Sequence, residues 1–141
     1  MKYIVFLVLF CSLLQSQIFR KSNLEVVIDT NTKLMWIDNI DVIKIKKDHE
    51  SSIEYCENLV FAGYSNWRIP TIDEFKTIVN KKNYKNYINY RFKYNVPDGY
   101  WALKAHWRTL WFYADYMHFV SGTPYYDSRH KKKYVRCLRS M

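Results

Sequence analysis

The chain is poor in glycine and proline, with three of each among its 141 residues. A loop that cradles phosphate groups needs several closely spaced glycines, so the common nucleotide-binding loops are excluded. The sequence also lacks a nucleophile elbow and the residue order of a Ser-His-Asp hydrolase. It therefore has none of the motifs that identify a nucleotide-dependent enzyme or a serine hydrolase.

Long apolar runs are missing as well, apart from one at the N-terminus. Lys2 precedes an apolar run over residues 3–14, and polar residues follow it, which is the layout of a secretory signal peptide. The run is too short for a permanent transmembrane span. We therefore expect residues 1–17 to be a signal peptide and residues 18–141 to form one domain, exported to the periplasm, the cell surface or the medium.

Acidic residues are few: 13 Asp and Glu accompany 22 Lys and Arg, a formal net charge of +9. Removal of the leader takes away Lys2 and no acidic residue, so 21 basic minus 13 acidic residues leave +8. This excess favours polyanionic partners. A solvated basic surface that binds nothing is the alternative.

Cysteine is scarce, with three in the chain. Cys11 lies in the leader, where lipidation is an alternative to simple cleavage that the bulky Phe10 disfavours. The mature chain keeps Cys56 and Cys137, and an oxidising compartment favours a disulfide. A reactive or copper-binding thiol pair is the alternative, but no nearby base or suitably spaced histidine supports it.

Metal ligands do not cluster in the sequence. The four histidines show no metal-ligand spacing, and the carboxylate and amide loop of a calcium-dependent lectin is missing. The stretch 96–98, Val-Pro-Asp, resembles such a loop only weakly and is typical of a turn. We expect no metal site and no cofactor.

The first part of the mature chain predicts short strands at 24–28, 34–37 and 42–45. Residues 48–62 then read as a helix, with Ile53, Cys56 and Val60 on its buried face and Gly63 ending it.

The stretch GYSNWRIPTIDEF, residues 63–75, links this helix to a second one. Pro70 favours an extended residue before it, and Thr71 with Glu74 matches a capping box, so the second helix is predicted over about 71–80. Trp67 and Arg68 are predicted to be extended and to pack under both helices. For Arg68 we expect hydrogen bonds to backbone carbonyls or a carboxylate, and a ligand contact is the alternative.

The last third of the chain predicts a meander of short antiparallel strands. The predicted strands are 100–103, 110–116, 119–120, 125–126 and 134–138. The order of strands, two helices and further strands predicts an α+β fold.

Four segments in this order resemble the Lcl C-terminal domain family of bacterial exported and collagen-like surface proteins. They are VIDTNTKLMW (27–36), IEYCENLVFAGYSNWRIPTIDEF (53–75), GYW (99–101) and YVRCLR (134–139). The motif residues singled out for structural roles are Asp29, Trp36, Trp67, Arg68, Pro70, Thr71, Glu74 and Arg136.

The resemblance implies a C-type-lectin-like fold, related to that of the formylglycine-generating sulfatase modifiers, in which two helices pack on short antiparallel strands. It also implies that Cys56 and Cys137 pair. Lys33 replaces a usual glycine, and residues 102–104, Ala-Leu-Lys, replace a serine-rich run, so a surface site built on those serines would be altered.

The lack of catalytic motifs and of free thiols in the mature chain favours a non-catalytic binding or interaction module. The alternative is an exported enzyme of the sulfatase-modifying type, but that chemistry needs an active cysteine pair, and both mature cysteines occupy structural positions of the family.

A basic loop, Arg129-His-Lys-Lys-Lys133, is the most distinctive functional feature. Together with the neighbouring tyrosines, the loop is predicted to bind sulfate, phosphate or carboxylate groups of an anionic polysaccharide or a cell-envelope component. Nucleic acid suits the charge, but export argues against it, and a solvated hairpin tip is the alternative. The candidate anion-binding residues are Arg129, Lys131, Lys132, Lys133, Tyr125 and Tyr126.

Overall fold

Two β-sheets and two short helices make up the fold in the computed structural model, which describes residues 17–141. Residues 1–16 of the predicted signal peptide, which include Cys11, lie outside the described residues. The α+β class predicted from the order of elements is confirmed. No helix within 17–141 has the length and apolar character needed to cross a membrane.

A four-stranded antiparallel sheet joins the start of the described chain to its end. Its strands, in the spatial order β1-β2-β3-β9, are β1 (Ile18–Lys21), β2 (Val26–Asp29), β3 (Leu34–Ile37) and β9 (Leu138–Ser140). Lys33, in the β2–β3 turn, has a φ of 56°, a left-handed conformation that glycine adopts most easily. This explains why a glycine is usual at this position of the family.

A five-stranded sheet carries the second half of the chain. Its strands, in the spatial order β4-β8-β5-β6-β7, are β4 (Lys46–Lys47), β5 (Gly99–Ala105), β6 (Tyr113–His118), β7 (Thr123–Ser128) and β8 (Lys133–Tyr134). The pairing of β5 with β8 is parallel, so the predicted all-antiparallel meander is wrong at this point.

Helix α1, His49–Glu57, begins where the sequence predicts and ends early. The Asp48 side chain caps it by accepting a hydrogen bond from the amide of Ser51 at 2.8 Å. The predicted extension to residue 62 is wrong, because the chain leaves the helix at Asn58 and turns through left-handed Ala62 and Gly63. Val60 is consequently exposed and does not join the buried face.

Helix α2, Ile72–Ile78, begins with the predicted capping box. The hydroxyl of Thr71 accepts a hydrogen bond from the amide of Glu74 at 3.2 Å, and the Glu74 carboxylate accepts one from the amide of Thr71 at 2.9 Å. Pro70 is buried directly before this cap.

The segment before α2 is extended, as predicted, and is tied to the last strand. The backbone amide of Arg68 donates a hydrogen bond of 2.8 Å to the carbonyl of Leu138, and the amide of Leu138 donates one of 2.9 Å to the carbonyl of Arg68. The guanidinium of Arg68 donates two hydrogen bonds of 2.7 Å to the carboxylate of Glu74. Trp67 is buried, and its indole N–H donates to the carbonyl of Tyr64 at 3.0 Å. These contacts hold α2 against the four-stranded sheet.

Four predicted strands need correction, and the one over 119–120 is part of the turn that follows β6. Residues 42–45 do not form a strand, because Ile40–Ile43 is a 3-10 helix whose Val42 packs into the core. The strand predicted over 110–116 starts only at Tyr113, after a turn. The segment 134–138 is divided between β8 and β9, because its centre leaves both sheets to enter the core.

The predicted disulfide joins Cys56 of α1 to Cys137, with a Cα–Cα distance of 5.6 Å. Both cysteines are buried in the hydrophobic core between the sheets and helices. Large members of this core include Trp36, Trp67, Ile69, Phe75, Ile78, Tyr100, Met117, Phe119 and Leu138.

An ionic network is buried beside the core. Arg136 is fully buried and donates to the carbonyl of Ile37 at 2.7 Å and to the carbonyl of Tyr94. Asp38, also fully buried, lies 3.4 Å from Arg136 and accepts a hydrogen bond of 2.6 Å from Arg20. The network fixes the long connector between α2 and β5 to the four-stranded sheet.

Asp29, another motif residue, is buried at the end of β2, and its carboxylate accepts a hydrogen bond of 2.9 Å from the amide of Asn31.

Candidate anion-binding site

The predicted basic loop is the turn between β7 and β8, but its side chains point to different places. Lys133 belongs to β8 and its side chain is only 14% exposed. Its ammonium lies 3.9 Å from the ring centre of Tyr116 and 5.3 Å from that of Trp101. Lys133 is therefore a packed residue and not part of a solvated loop.

Asp127 partly neutralises the turn. Its carboxylate lies 3.0 Å from the ammonium of Lys133 and 3.1 Å from that of Lys131. Burial raises the pKa of Asp127, but the hydrogen bonds from Lys133 and Ser128 outweigh it and hold the pKa below the usual value of 3.8. Lys131 is mostly exposed, so it can exchange this partner for a ligand anion. Lys132 is exposed and makes no ion pair within residues 17–141.

Arg129 points to the other side of the turn. It donates a hydrogen bond of 3.0 Å to Nδ1 of His49 and one of 3.3 Å to the carbonyl of Trp111. His49 is buried, and its Nε2 lies 2.8 Å from the carbonyl of Ala102. Burial lowers the pKa of His49 and the Arg129 charge lowers it further, so the ring is neutral at pH 7. Arg129 thus fastens the turn to α1 and β5.

The two candidate tyrosines lie on opposite faces of β7, because successive strand residues alternate. The ring of Tyr125 is next to those of Tyr116 and His118, whereas the ring of Tyr126 is next to those of His106 and Tyr113. Because they are adjacent in the sequence, both were predicted to belong to one anion-binding site. Only Tyr125 shares a face with Asp127, Lys131 and Lys133.

Aromatic rings form a row across this face of the five-stranded sheet. Tyr116 and Tyr125 lie side by side with ring centres 5.9 Å apart and planes 29° apart, and His118 flanks them at 6.1 and 6.2 Å. We call Tyr116, His118 and Tyr125 the aromatic platform. Tyr125 is 48% exposed, so its ring is open to a ligand.

Gly99 allows the platform to lie close to the sheet. A Cβ atom at this position would lie 2.9 Å from Cδ2 of Tyr116, so any larger residue would push the ring outward. The pKa of the Tyr116 hydroxyl is raised, mainly by burial and also by the charge of Asp127, so the hydroxyl stays a hydrogen-bond donor in neutral solution.

The aromatic platform was not found in the sequence. Tyr116 was assigned only to a predicted strand and His118 to none, and nothing local indicates that they face Tyr125. The alternation of Tyr116 and His118 in β6 could have placed them on one face, but the pairing with β7 depends on the fold.

A second surface that the sequence did not reveal is the turn between β5 and β6. The run Trp107-Arg-Thr-Leu-Trp-Phe112 was assigned partly to a strand, but it forms a 3-10 turn with exposed apolar side chains. The amide of Arg129 donates to the carbonyl of Phe112 at 2.9 Å, so the two turns lie together.

The rest of the described chain offers no metal cluster and only shallow cavities. Within residues 17–141 no three His, Cys, Asp or Glu side chains come together as a metal site. An apolar cavity of about 90 Å³ lies beside the disulfide, between Val42, Tyr55, Leu59 and Val135. This volume is too small for a sugar ring. Larger depressions, of about 340 Å³ beside Trp107 and about 440 Å³ beside Tyr55, are open to the surface.

Comparison with known proteins gives the family. The family model described as the Lcl C-terminal domain matches residues 25–139, which include both cysteines and all the motif residues named above. No curated protein and no solved structure matches the chain. By this match, the chain belongs to the Lcl C-terminal domain family.

Proposed function

We propose that the protein is an exported, non-catalytic module that binds an anionic saccharide polymer on the aromatic platform. The observation that carries the proposal is the side-by-side arrangement of Tyr116 and Tyr125 next to the cluster of Lys131, Lys133 and Asp127. Aromatic faces pack against the apolar faces of sugar rings, and the lysines supply charge for sulfate or carboxylate groups.

Asp127 favours a saccharide over a simple polyanion. Its carboxylate can accept hydrogen bonds from sugar hydroxyls, whereas a polymer made only of phosphate groups has no such donors. Lys132 is exposed in the same turn and adds to its positive charge. The proposed ligand therefore contains sugar rings, hydroxyl groups and sulfate or carboxylate groups.

Export is part of the proposal. It is supported by the apolar leader in the sequence and by membership of a family found in exported bacterial surface proteins. The enzyme alternative requires reactive thiols, and the joining of Cys56 and Cys137 in a buried disulfide favours the binding module over it.

The C-type-lectin-like fold is likewise proposed. It is supported by the pairing of the first described strands with the last one, and by a disulfide between α1 and the segment before β9. An experimental structure that superposes on lectin-like domains over both sheets would establish it, and a different strand order would refute it.

Retention on immobilised heparin, followed by a screen of sulfated and carboxylated glycans, tests the binding function. Lys131→Ser/Lys132→Ser should elute at much lower salt than the parent, since exposed charges are screened over about 10 Å at 0.1 M salt. The matched control Lys21→Ser/Lys82→Ser removes the same charge from exposed positions elsewhere and should elute close to the parent.

A second pair of variants tests which face of β7 binds the ligand. Tyr125→Ser should weaken binding, whereas Tyr126→Ser, which removes the neighbouring ring from the opposite face, should not. Equal losses in the two lysine variants would show that overall charge causes the retention, and equal losses in the two tyrosine variants would show that binding does not depend on the face of β7. Either result would refute the platform.

A further inference from the structure

The turn between β5 and β6 exposes four large apolar side chains. Trp107 is 64% exposed, Leu110 88%, Trp111 57% and Phe112 47%. We call residues 106–112 the hydrophobic tip. Single exposed apolar residues are ordinary on protein surfaces, but four within six positions form a patch that indicates an interaction site.

The backbone of the hydrophobic tip is held in a strained shape. Leu110 and Trp111 are both left-handed, with φ of 52° and 63°, although neither is glycine. Such conformations cost free energy and are typical of functional sites. Here they turn two bulky apolar side chains outward.

The polar groups of this backbone are largely satisfied inside the turn. The amides of residues 109–112 all donate to carbonyls of residues 106–109, and the Thr109 hydroxyl donates to the carbonyl of His106 at 2.8 Å. A segment that enters an apolar phase must satisfy its own backbone, because no water is available there. Four consecutive amides of the hydrophobic tip, those of residues 109–112, meet this requirement.

Positive charge lies beside the apolar side chains. Lys104 and Arg108 are exposed in or beside the turn, and residues 103–112 contain no acidic residue. His130 packs on Phe112 with ring centres 5.5 Å apart, which brings the basic β7–β8 turn alongside. The surface is therefore apolar at its end and cationic on the side of Lys104 and Arg108, whereas Asp48 and Glu50 lie beside Trp111.

We propose that the hydrophobic tip inserts into the interfacial layer of an anionic lipid bilayer. Tryptophan favours the boundary between headgroups and acyl chains, and cationic side chains beside it attract anionic headgroups. A projecting turn with apolar side chains suits shallow insertion. A saccharide is less suitable here, because the exposed indoles belong to a turn and no pair of them is near parallel as Tyr116 and Tyr125 are on the aromatic platform.

The distribution of tryptophan allows a direct measurement. Of the five tryptophans, Trp36, Trp67 and Trp101 are fully buried, and only Trp107 and Trp111 are exposed. Added to vesicles of phosphatidylcholine with phosphatidylglycerol, the full protein should show a blue shift of its fluorescence and quenching by brominated lipid. Vesicles of phosphatidylcholine alone should give a much weaker response.

Three variants test whether the hydrophobic tip causes the partitioning. Trp107→Ser/Leu110→Ser should lower partitioning into anionic vesicles by at least about tenfold, since each side chain loses the free energy of apolar burial. Val60→Ser/Tyr84→Ser removes two side chains that are each 75% exposed but lie outside the hydrophobic tip, and should partition like the parent. Arg108→Ser should lower partitioning by roughly fivefold.

Other outcomes would overturn the proposal. It fails if anionic vesicles cause no blue shift, or if both double variants lose partitioning equally. It also fails if the parent self-associates without lipid and Trp107→Ser/Leu110→Ser abolishes this, which would assign the hydrophobic tip to contacts between copies. Heparin retention of the tip variant should be unchanged, so this proposal and the saccharide proposal can fail separately.

Discussion

Arg129 donates a hydrogen bond of 3.0 Å to Nδ1 of His49, although the two residues are 80 positions apart. Because the same imidazole contacts the carbonyl of Ala102, both ring nitrogens have partners only while His49 is neutral. The basic turn, α1 and β5 therefore meet at one histidine, and its protonation affects all three.

Stability should fall on acidification because of His49. Burial, together with the Arg129 charge, lowers its folded-state pKa below 6.5, although Asp48 opposes this. The unfolded chain thus binds the proton more readily, and the free energy of unfolding should fall as pH drops below about 6.5, then level off below the folded-state pKa. Denaturant unfolding from pH 8 to 5 should show a smaller decline for His49→Gln. Equal declines in parent and variant would contradict this interpretation.

Asp38→Asn should strongly destabilise the fold. It leaves the buried guanidinium of Arg136 and the largely buried one of Arg20 without a carboxylate. Breaking a buried ion pair on one side costs about 3 to 5 kcal/mol. Asp73→Asn is the control, because that carboxylate is 96% exposed, and its change should stay within about 0.5 kcal/mol. Similar midpoints of chemical denaturation for the two variants would show that the network contributes little.

Neighbouring lysines of the basic turn should differ in their effect on stability. Lys133→Ser removes contacts with two aromatic rings and a partly buried ion pair, so we expect a loss of about 1 to 2 kcal/mol. Lys132→Ser should change stability by less than about 0.5 kcal/mol. Thermal unfolding measures both. For this reason the binding test above uses Lys131 and Lys132 and leaves Lys133 intact.

Loss of the disulfide should be costly. Cys56 and Cys137 are separated by 81 positions, and in the chain-entropy model a loop of this length contributes about 4 to 5 kcal/mol. Cys56→Ala/Cys137→Ala should therefore unfold at a much lower denaturant concentration than the parent. A parent treated with a reductant should behave similarly, and a midpoint unaffected by reduction would contradict the prediction.

Local features of the fold were predictable from the sequence. Thr71 and Glu74 form their capping box within four consecutive residues, and the Asp48 side chain accepts a hydrogen bond from the amide of Ser51, three positions later. Neither cap depends on distant contacts. The pairing of Cys56 with Cys137 came from the family resemblance and was also correct.

Features that depend on distant contacts were not predictable. The apolar run 110–116 resembles a strand, but Leu110 and Trp111 turn back in left-handed conformations before β6 starts. Arg136 lies within a strand-like run, but its side chain enters the core to reach Asp38, which interrupts the strand. The aromatic platform requires the register of β6 with β7, and no local pattern specifies it.

Residues 133–140 contribute β8 to the five-stranded sheet and β9 to the four-stranded sheet. Between these strands lie Arg136 of the ionic network and Cys137 of the disulfide. During synthesis neither sheet can close until this segment has emerged, since its partners lie far back in the sequence. One short segment thus completes both sheets, so removal of residues 133–140 would take a strand from each sheet together with Arg136 and one half of the disulfide.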